Sequence, residues 1–193
     1  HQSFKVESTW SSPSATFIEN AKMTSPLSSF YREYKPELTL NIISGNGYSQ
    51  QTHIRYNEWA NENYDAENDS KVLSTRNEKA PKLVSLSKDG IELSLNSINT
   101  LNTQIPLSIR NYEINKDIML EIQNLGEFEY NCECIIMKDR LTGITYDLKT
   151  TDQINFSSST TSIDDRFVLS LSDNPNCKRE LINKKNTLNG YVS

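Results

Sequence analysis

The chain has 193 residues, a length that fits one large domain or one domain with an appendage. With 35% hydrophobic and 23% charged residues it is poor in apolar residues for a globular protein, but it is not charged enough to favour disorder. Its 25 acidic residues outnumber its 20 basic residues and give a net charge of -5, which argues against nucleic acid as a partner. No apolar run approaches the roughly 20 residues that a transmembrane helix needs, so the sequence predicts no membrane span.

Apolar and polar residues alternate along much of the chain, with the period of two that is typical of half-buried β-strands. In chain order, the predicted strands lie near residues 38–42, 52–56, 91–95, 105–109, 118–122, 134–139, 144–148, 154–156 and 166–171. Asp89-Gly90 and Thr142-Gly143 are typical of tight hairpins between such strands. The best helical candidate, residues 59–72, is short and mostly polar. The sequence therefore predicts an all-β fold, an antiparallel β-sandwich or a jelly roll.

The pattern of strands predicts one β-sandwich domain over residues 1–172, with a tail or linker at 173–193. Within that domain, residues 1–33 are richer in Ser, Thr and Pro and show strands less clearly. The chain begins at His1 without a charged-then-apolar leader, which is typical of an excised domain or a mature fragment.

The three cysteines are Cys132, Cys134 and Cys177, an odd number that cannot pair completely within one chain. Cys132 and Cys134 have strand spacing, so both are expected on one face of a strand. A disulfide from either of them to Cys177 would tie the tail to that strand in an oxidising compartment. The alternative is a zinc site, which would need Cys177, His1, His53 or a carboxylate to complete it.

The densest run of oxygen ligands is residues 61–69. Carboxylates at Asp65, Glu67 and Asp69 have the every-second-residue spacing with which a loop can wrap a calcium ion. The match to an EF-hand loop fails, because Ser70 replaces the turn glycine and Arg76 replaces the bidentate Glu. The sequence predicts a calcium site of another kind in this loop, and the alternative is a polar loop with one helical turn. No other cofactor is indicated.

Catalytic devices are scarce in the sequence. A Ser-His-Asp or Cys-His arrangement needs a histidine, and the two present are His1 at the chain start and His53 on the polar face of a predicted strand. Acid pairs such as Asp164 with Asp165 would serve glycoside hydrolysis only across a cleft. Several aromatic residues fall in predicted loops or in the irregular N-terminal part, namely Trp10, Tyr31, Tyr34, Trp59 and Tyr64. They are compatible with a carbohydrate-binding module and equally with aromatic plugs at the ends of a sandwich.

Residues 137–148, with the core Lys138-Asp139-Arg140-Leu141-Thr142-Gly143, form the most specific motif of the chain. Weaker matching elements surround it at 48–56, 65–72, 93–97, 105–107, 155–157 and 166–169. In this order, the elements resemble a domain of secreted and cell-surface proteins of the Bacteroidetes that commonly precedes the C-terminal sorting domain of type IX secretion. The resemblance spans roughly residues 38–172. Gln50 and Lys138 depart from it, and neither the Cys132–Cys134 pair nor the tail belongs to it.

The resemblance implies location and fold, and it carries no catalytic residues. It implies a non-catalytic structural or adhesive module of a secreted or cell-surface bacterial protein, whose partners are the rest of that protein and the secretion machinery. The alternative function is a carbohydrate-binding module that binds a glycan with calcium assisting. Two of the matched residues have structural interpretations: Arg166 beside Asp165 predicts a surface or edge ion pair, and Pro106 predicts an edge strand or a strand start.

Overall fold

The computed structural model describes residues 37–72, 80–110, 116–157 and 163–177. These residues form eleven β-strands and one short helix, so the predicted all-β fold is confirmed. The elements are β1 (Glu37–Ser44), β2 (Ser49–Tyr56), β3 (Ser70–Lys71), β4 (Lys82–Leu86), β5 (Glu92–Ile98), β6 (Thr103–Arg110), β7 (Ile118–Asn124), α1 (Phe128–Asn131), β8 (Cys134–Asp139), β9 (Thr145–Asp147), β10 (Gln153–Phe156) and β11 (Ile163–Ser172). None of the described helical structure is long or apolar enough to cross a membrane.

The strands join one continuous ladder in the order β10-β7-β1-β2-β5-β4-β6-β11-β8-β9, and β3 pairs with β5 beside that path. The described pairings are antiparallel except for β2 with β5, which run parallel from the pair His53 and Leu95 to the pair Tyr56 and Ile98. The sheet is therefore mixed, where the sequence predicted antiparallel strands throughout. It is strongly curled, as expected when strand twist accumulates over so many strands, and its form is compatible with a sandwich.

The inner face of the curled sheet forms one hydrophobic core. The alternating residues that predicted the strands lie on this face: Leu38, Leu40 and Ile42 of β1 are fully buried, as are Leu107 and Ile109 of β6. Further buried members come from the remaining strands and from α1, namely Ile54, Leu83, Ile98, Ile105, Ile118, Leu120, Phe128, Cys132, Ile135, Met137, Leu148, Ile154, Phe167, Leu169 and Leu171. Burial of this apolar surface is the main favourable contribution to folding.

Both predicted tight hairpins are present. Between β4 and β5, the Ser87 amide donates to the Ile91 carbonyl oxygen at 3.1 Å. Between β8 and β9, the Asp139 amide donates to the Ile144 carbonyl oxygen at 2.9 Å. Gly143 has a φ of 73°, a left-handed conformation that glycine adopts at little cost.

Two local predictions are wrong. Residues 59–72 form turns and bends followed by β3, because Asp side chains bind neighbouring backbone amides and compete with helix formation. Pro106 lies within β6, an interior strand between β4 and β11. The ladder between β4 and β6 ends at the pair Ser85 and Leu107, so Pro106 lies just beyond it, where no hydrogen bond to β4 is required.

The predicted domain boundaries at 1–172 and 173–193 stay predictions. Residues 1–36 and 178–193, which include the Ser-, Thr- and Pro-rich segment and most of the tail, lie outside the described residues.

Candidate functional site

The loop between β2 and β3, residues 57–69, contains the three predicted calcium ligands. Asp65 accepts hydrogen bonds from the Glu67 amide at 3.0 Å and from the Asn68 side chain at 2.7 Å. Asp69 accepts from the Asp65 amide at 2.9 Å and from the Ser97 amide at 2.8 Å. Each carboxylate oxygen of the two aspartates thus accepts a hydrogen bond within the protein. Glu67 is exposed.

The two aspartates have different electrostatic environments. Hydrogen bonds from the Asn68 side chain and the Glu67 amide lower the pKa of Asp65. Burial raises the pKa of Asp69, against the opposing effect of the hydrogen bonds from Ser97 and Asp65. Asp69 therefore acts as a buried anchor that holds the loop against β5, and Asp65 closes the turn at the surface.

A calcium site in this loop stays a prediction. Among the described residues, no group of three or more His, Cys, Asp or Glu side chains is placed to hold a metal ion. The hydrogen bonds to Asp65 and Asp69 account for the local conformation without an ion.

A cleft of about 500 Å³ lies beside the same loop. Its walls come from the β2–β3 loop, the hairpin between β4 and β5, the turn between β5 and β6, and the start of β6. The Lys88 amide donates to the Glu62 carbonyl oxygen at 2.8 Å and so joins two of these walls. The Asp69–Ser97 hydrogen bond fixes the loop to β5 at Ser97, which lines the cleft, so Asp69 helps to hold the cleft wall in place.

The polar lining of the cleft includes four side-chain amides. They belong to Asn61, Asn96, Asn99 and Gln104, and only Asn96 is buried, at 7% exposed. Asn61 belongs to the run of oxygen ligands at 61–69, but the other three were not predicted, because isolated Asn and Gln residues in strands and turns carry no spacing that distinguishes them. They converge here because β5 leaves β4 to pair with β2, which leaves a gap beside β6.

Two of the five aromatic candidates lie in the described part of the chain. Trp59 is 80% exposed, and Tyr64 is half-buried beneath the Lys71 ammonium, which lies 4.5 Å from the ring centroid. Trp10, Tyr31 and Tyr34 lie outside the described residues.

Two of the three cysteines form a disulfide, and the third is a buried free thiol. Cys134 pairs with Cys177, so the segment after β11 is tied to β8, and the Cys134 thiolate is not available to zinc. Cys132 precedes β8 as the C-cap of α1 and lies in the core, where burial raises the pKa of its thiol to about 11. A thiol of that kind is protonated at neutral pH and is a poor nucleophile or ligand.

The matched motif at 137–148 is built around a buried ion pair, where the sequence predicted that Arg166 pairs at the surface. Arg166 donates to Asp139 through Nε at 3.0 Å and through Nη2 at 2.9 Å, and both residues are buried. The guanidinium carbon also lies 4.7 Å from the ring centroid of Phe156 and 5.2 Å from that of Phe167. This cluster is enclosed by protein and has the character of a structural support.

Comparison with known proteins adds no relative: no family model, no curated protein sequence and no solved structure matches the chain. The resemblance to a domain of Bacteroidetes surface proteins stays a prediction.

Proposed function

We propose that this chain is a non-catalytic structural and adhesive module of a secreted or cell-surface bacterial protein, where it displays or anchors neighbouring domains. The observation that carries the proposal is the disulfide between Cys134 and Cys177. Disulfides form and persist in oxidising compartments outside the cytoplasm and are rare in reducing ones, so this bond favours export. The partners in this proposal are the remainder of the parent protein and the type IX secretion machinery.

The position of the disulfide suits a module that bears load. β11 lies between β6 and β8, and Cys177 follows the end of β11 by five residues. A force applied through the chain that follows Cys177 would pass into β8 by a covalent bond, and the hydrogen bonds of β11 would not have to resist it alone. In the chain-entropy account, closing a loop of 43 residues stabilises the fold by about 4 kcal/mol.

The second candidate function is carbohydrate binding, and the cleft beside the β2–β3 loop favours it. Its amide groups, and the exposed Trp59 two residues before the lining residue Asn61, are typical of sites that bind sugars through hydroxyl groups and ring faces. The two functions are compatible, because an adhesive module needs a ligand.

Single-molecule stretching from the two chain ends tests the load-bearing role. The closed loop between Cys134 and Cys177 cannot extend while the disulfide is intact, so reduction should lengthen the unfolded chain by about 150 Å, at about 3.6 Å for each of the 43 residues. Cys177→Ala should give the long form without reductant, and Cys132→Ala should keep the short form. The unfolding force should fall when the bond is reduced.

Two results would contradict the proposal. One is an unfolding force that does not change on reduction, because the disulfide would then bear no load. The other is a protein that is exported through an oxidising compartment and still has three alkylatable thiols after denaturation, where one is expected.

A further inference from the structure

The cleft has the volume and the composition of a small-ligand site. Its volume of about 500 Å³ falls within the range of about 300–1,000 Å³ that is typical of such sites. Leu86, Ile105 and Pro106 give it an apolar wall, and its polar groups include four side-chain amides. The walls are joined by backbone hydrogen bonds, including the one from the Lys88 amide to Glu62, so the cleft is formed before any ligand binds.

The side-chain amides in the cleft have no hydrogen-bond partner among the residues that the structure describes. No hydrogen bond within the described part of the chain involves the side chains of Asn61, Asn96, Asn99 or Gln104, although the neighbouring Ser87 and Ser97 hydroxyls are both bonded. Asn96 is the strongest evidence for a ligand site, because it is only 7% exposed and lies on the same face of β5 as the buried Ile98. A nearly buried amide that lines a cleft without a protein partner is a group that solvent or a ligand satisfies.

The chemistry of these groups selects a neutral ligand rich in hydroxyl groups. Each amide offers two N–H donors and one carbonyl acceptor, which matches hydroxyls that donate and accept at once. The charged groups that line the cleft are Glu62 and Lys88, and they neutralise each other in an ion pair of 2.5 Å. A phosphate or carboxylate ligand would therefore find no unpaired cation among the described lining residues.

Trp59 presents a flat apolar surface on the same loop as the lining residues Asn61 and Glu62. It lies two residues before Asn61, in a loop that the Asn57 amide joins to the Ile98 carbonyl oxygen at 2.9 Å. Its amide binds the Asn57 side chain at 3.1 Å, so the backbone that carries the 80% exposed indole is held in place. An exposed indole on a fixed backbone is suited to stack on the C–H face of a sugar ring.

We propose that this cleft binds a neutral oligosaccharide, with Asn61, Asn96, Asn99 and Gln104 as hydrogen-bonding residues and Trp59 as a stacking residue at its rim. This inference rests on the adhesive role proposed above and names the ligand class of that role.

The test is a binding screen with hexasaccharides of glucose, xylose, mannose, galactose and N-acetylglucosamine in α and β linkages, beside sialylated and sulfated glycans and unrelated peptides. Binding is followed by NMR, which observes the side-chain amide signals of Asn and Gln directly. At least one neutral hexasaccharide should bind and shift the Asn96 side-chain signals. Asn99→Ala and Gln104→Ala, both at exposed positions, should each weaken binding about tenfold, as loss of one hydrogen bond predicts.

Matched variants separate the cleft from the rest of the surface. Trp59→Ala should weaken binding, whereas Tyr130→Ala, which removes an aromatic ring that is 85% exposed on α1, should leave binding unchanged. Asn96→Leu should abolish binding, and its melting curve shows whether it is folded. The inference would be overturned if no neutral glycan bound, or if only charged glycans or peptides bound. It would also be overturned if the cleft variants did not weaken binding. The load-bearing role is tested separately by the stretching measurement, so the two proposals can fail independently.

Discussion

Replacing Asp139 by Asn tests the ion pair at the centre of the most specific sequence motif. The side chains of Arg166 and Asp139 are only 4% and 3% exposed, and two hydrogen bonds of 3.0 and 2.9 Å join them. Asn has the size of Asp and keeps an oxygen for the Leu141 amide, which binds Asp139 at 3.0 Å. The substitution therefore removes the charge while changing the shape very little, and the guanidinium is left buried opposite a neutral group.

The expected loss of stability is large. Breaking a buried pair by removing one partner costs about 3–5 kcal/mol, because the remaining charge is uncompensated. For a chain of this length, about 2–4 °C of melting temperature corresponds to each kcal/mol, so Asp139→Asn should melt about 6–20 °C below the wild type.

The effect should also depend on pH. Burial raises the pKa of Asp139, but the hydrogen bonds from Arg166 and Leu141 outweigh it and leave the pKa below its ordinary value of 3.8. Below that value the unfolded chain binds more protons than the folded chain, so the contribution of Asp139 to stability is complete above about pH 4 and is lost on acidification. The difference between wild type and Asp139→Asn should therefore shrink as the pH falls below about 4.

Urea denaturation of a double-mutant cycle gives the measurement. Arg166→Met together with Asp139→Asn removes both charges, so the double variant should lose at least about 2 kcal/mol less than the sum of the single variants. Lys88→Gln is the control, since it breaks an ion pair whose side chains are 70% and 60% exposed and should cause no measurable change. Single variants that add within about 0.5 kcal/mol would refute the buried-pair interpretation.

Three further outcomes are expected. Gly126→Ala should prevent stable folding or cost well over the roughly 1–2 kcal/mol of a left-handed residue, because a Cβ there would lie 2.8 Å from the Glu37 backbone nitrogen. Gly143→Ala should cost only that amount, because Gly143 has a left-handed φ but open space around it. Equal losses of stability in urea denaturation of the two variants would contradict this account. The Cys132 thiol, whose pKa burial raises to about 11, should react with iodoacetamide only after unfolding, and rapid alkylation of the native protein at pH 8 would show that the thiol is accessible. Asp69→Asn should cost about 1–3 kcal/mol even in EDTA, because one of the two backbone amides that Asp69 accepts from then faces an NH2 group. A calcium site additionally requires that millimolar calcium raise the wild-type melting temperature, and coincident melting curves in calcium and EDTA would eliminate that site.

The strands were predictable because the pattern that encodes them is local. Leu38, Leu40 and Ile42 alternate with polar residues and do lie in the core, and the Asp89-Gly90 and Thr142-Gly143 turns do form hairpins. The pairing of β2 with β5 was not predictable in this way. It joins segments about 40 residues apart in parallel register, and an alternating pattern is the same for a parallel or an antiparallel neighbour.

The buried ion pair was missed for a similar reason. Asp165 is adjacent to Arg166 in sequence and suggested a surface pair, but Asp165 has a φ of 48° and marks an irregularity in β11. The irregular backbone precedes Arg166, whose side chain lies in the interior, where its partner is Asp139, 27 residues earlier. Adjacency in sequence therefore gave the wrong partner, because a strand irregularity changes which residues share a face.

The acidic loop was identified from its spacing, yet its hydrogen bonds connect it to the cleft. Asp69 binds the amide of Ser97, the neighbour of Asn96, and the same loop carries Asn61 and Trp59. Loosening this anchor should displace the loop wall of the cleft while leaving Gln104 on β6 in place. Asp69→Asn should therefore weaken binding of the neutral hexasaccharide even in folded protein. In that variant, the ligand-induced NMR shift of the Asn61 side-chain amide should be lost, and the shift of the Gln104 side-chain amide should be reduced less. If both amides kept their shifts in that variant, the loop and the cleft would be independent, and the acidic residues would have no part in ligand binding.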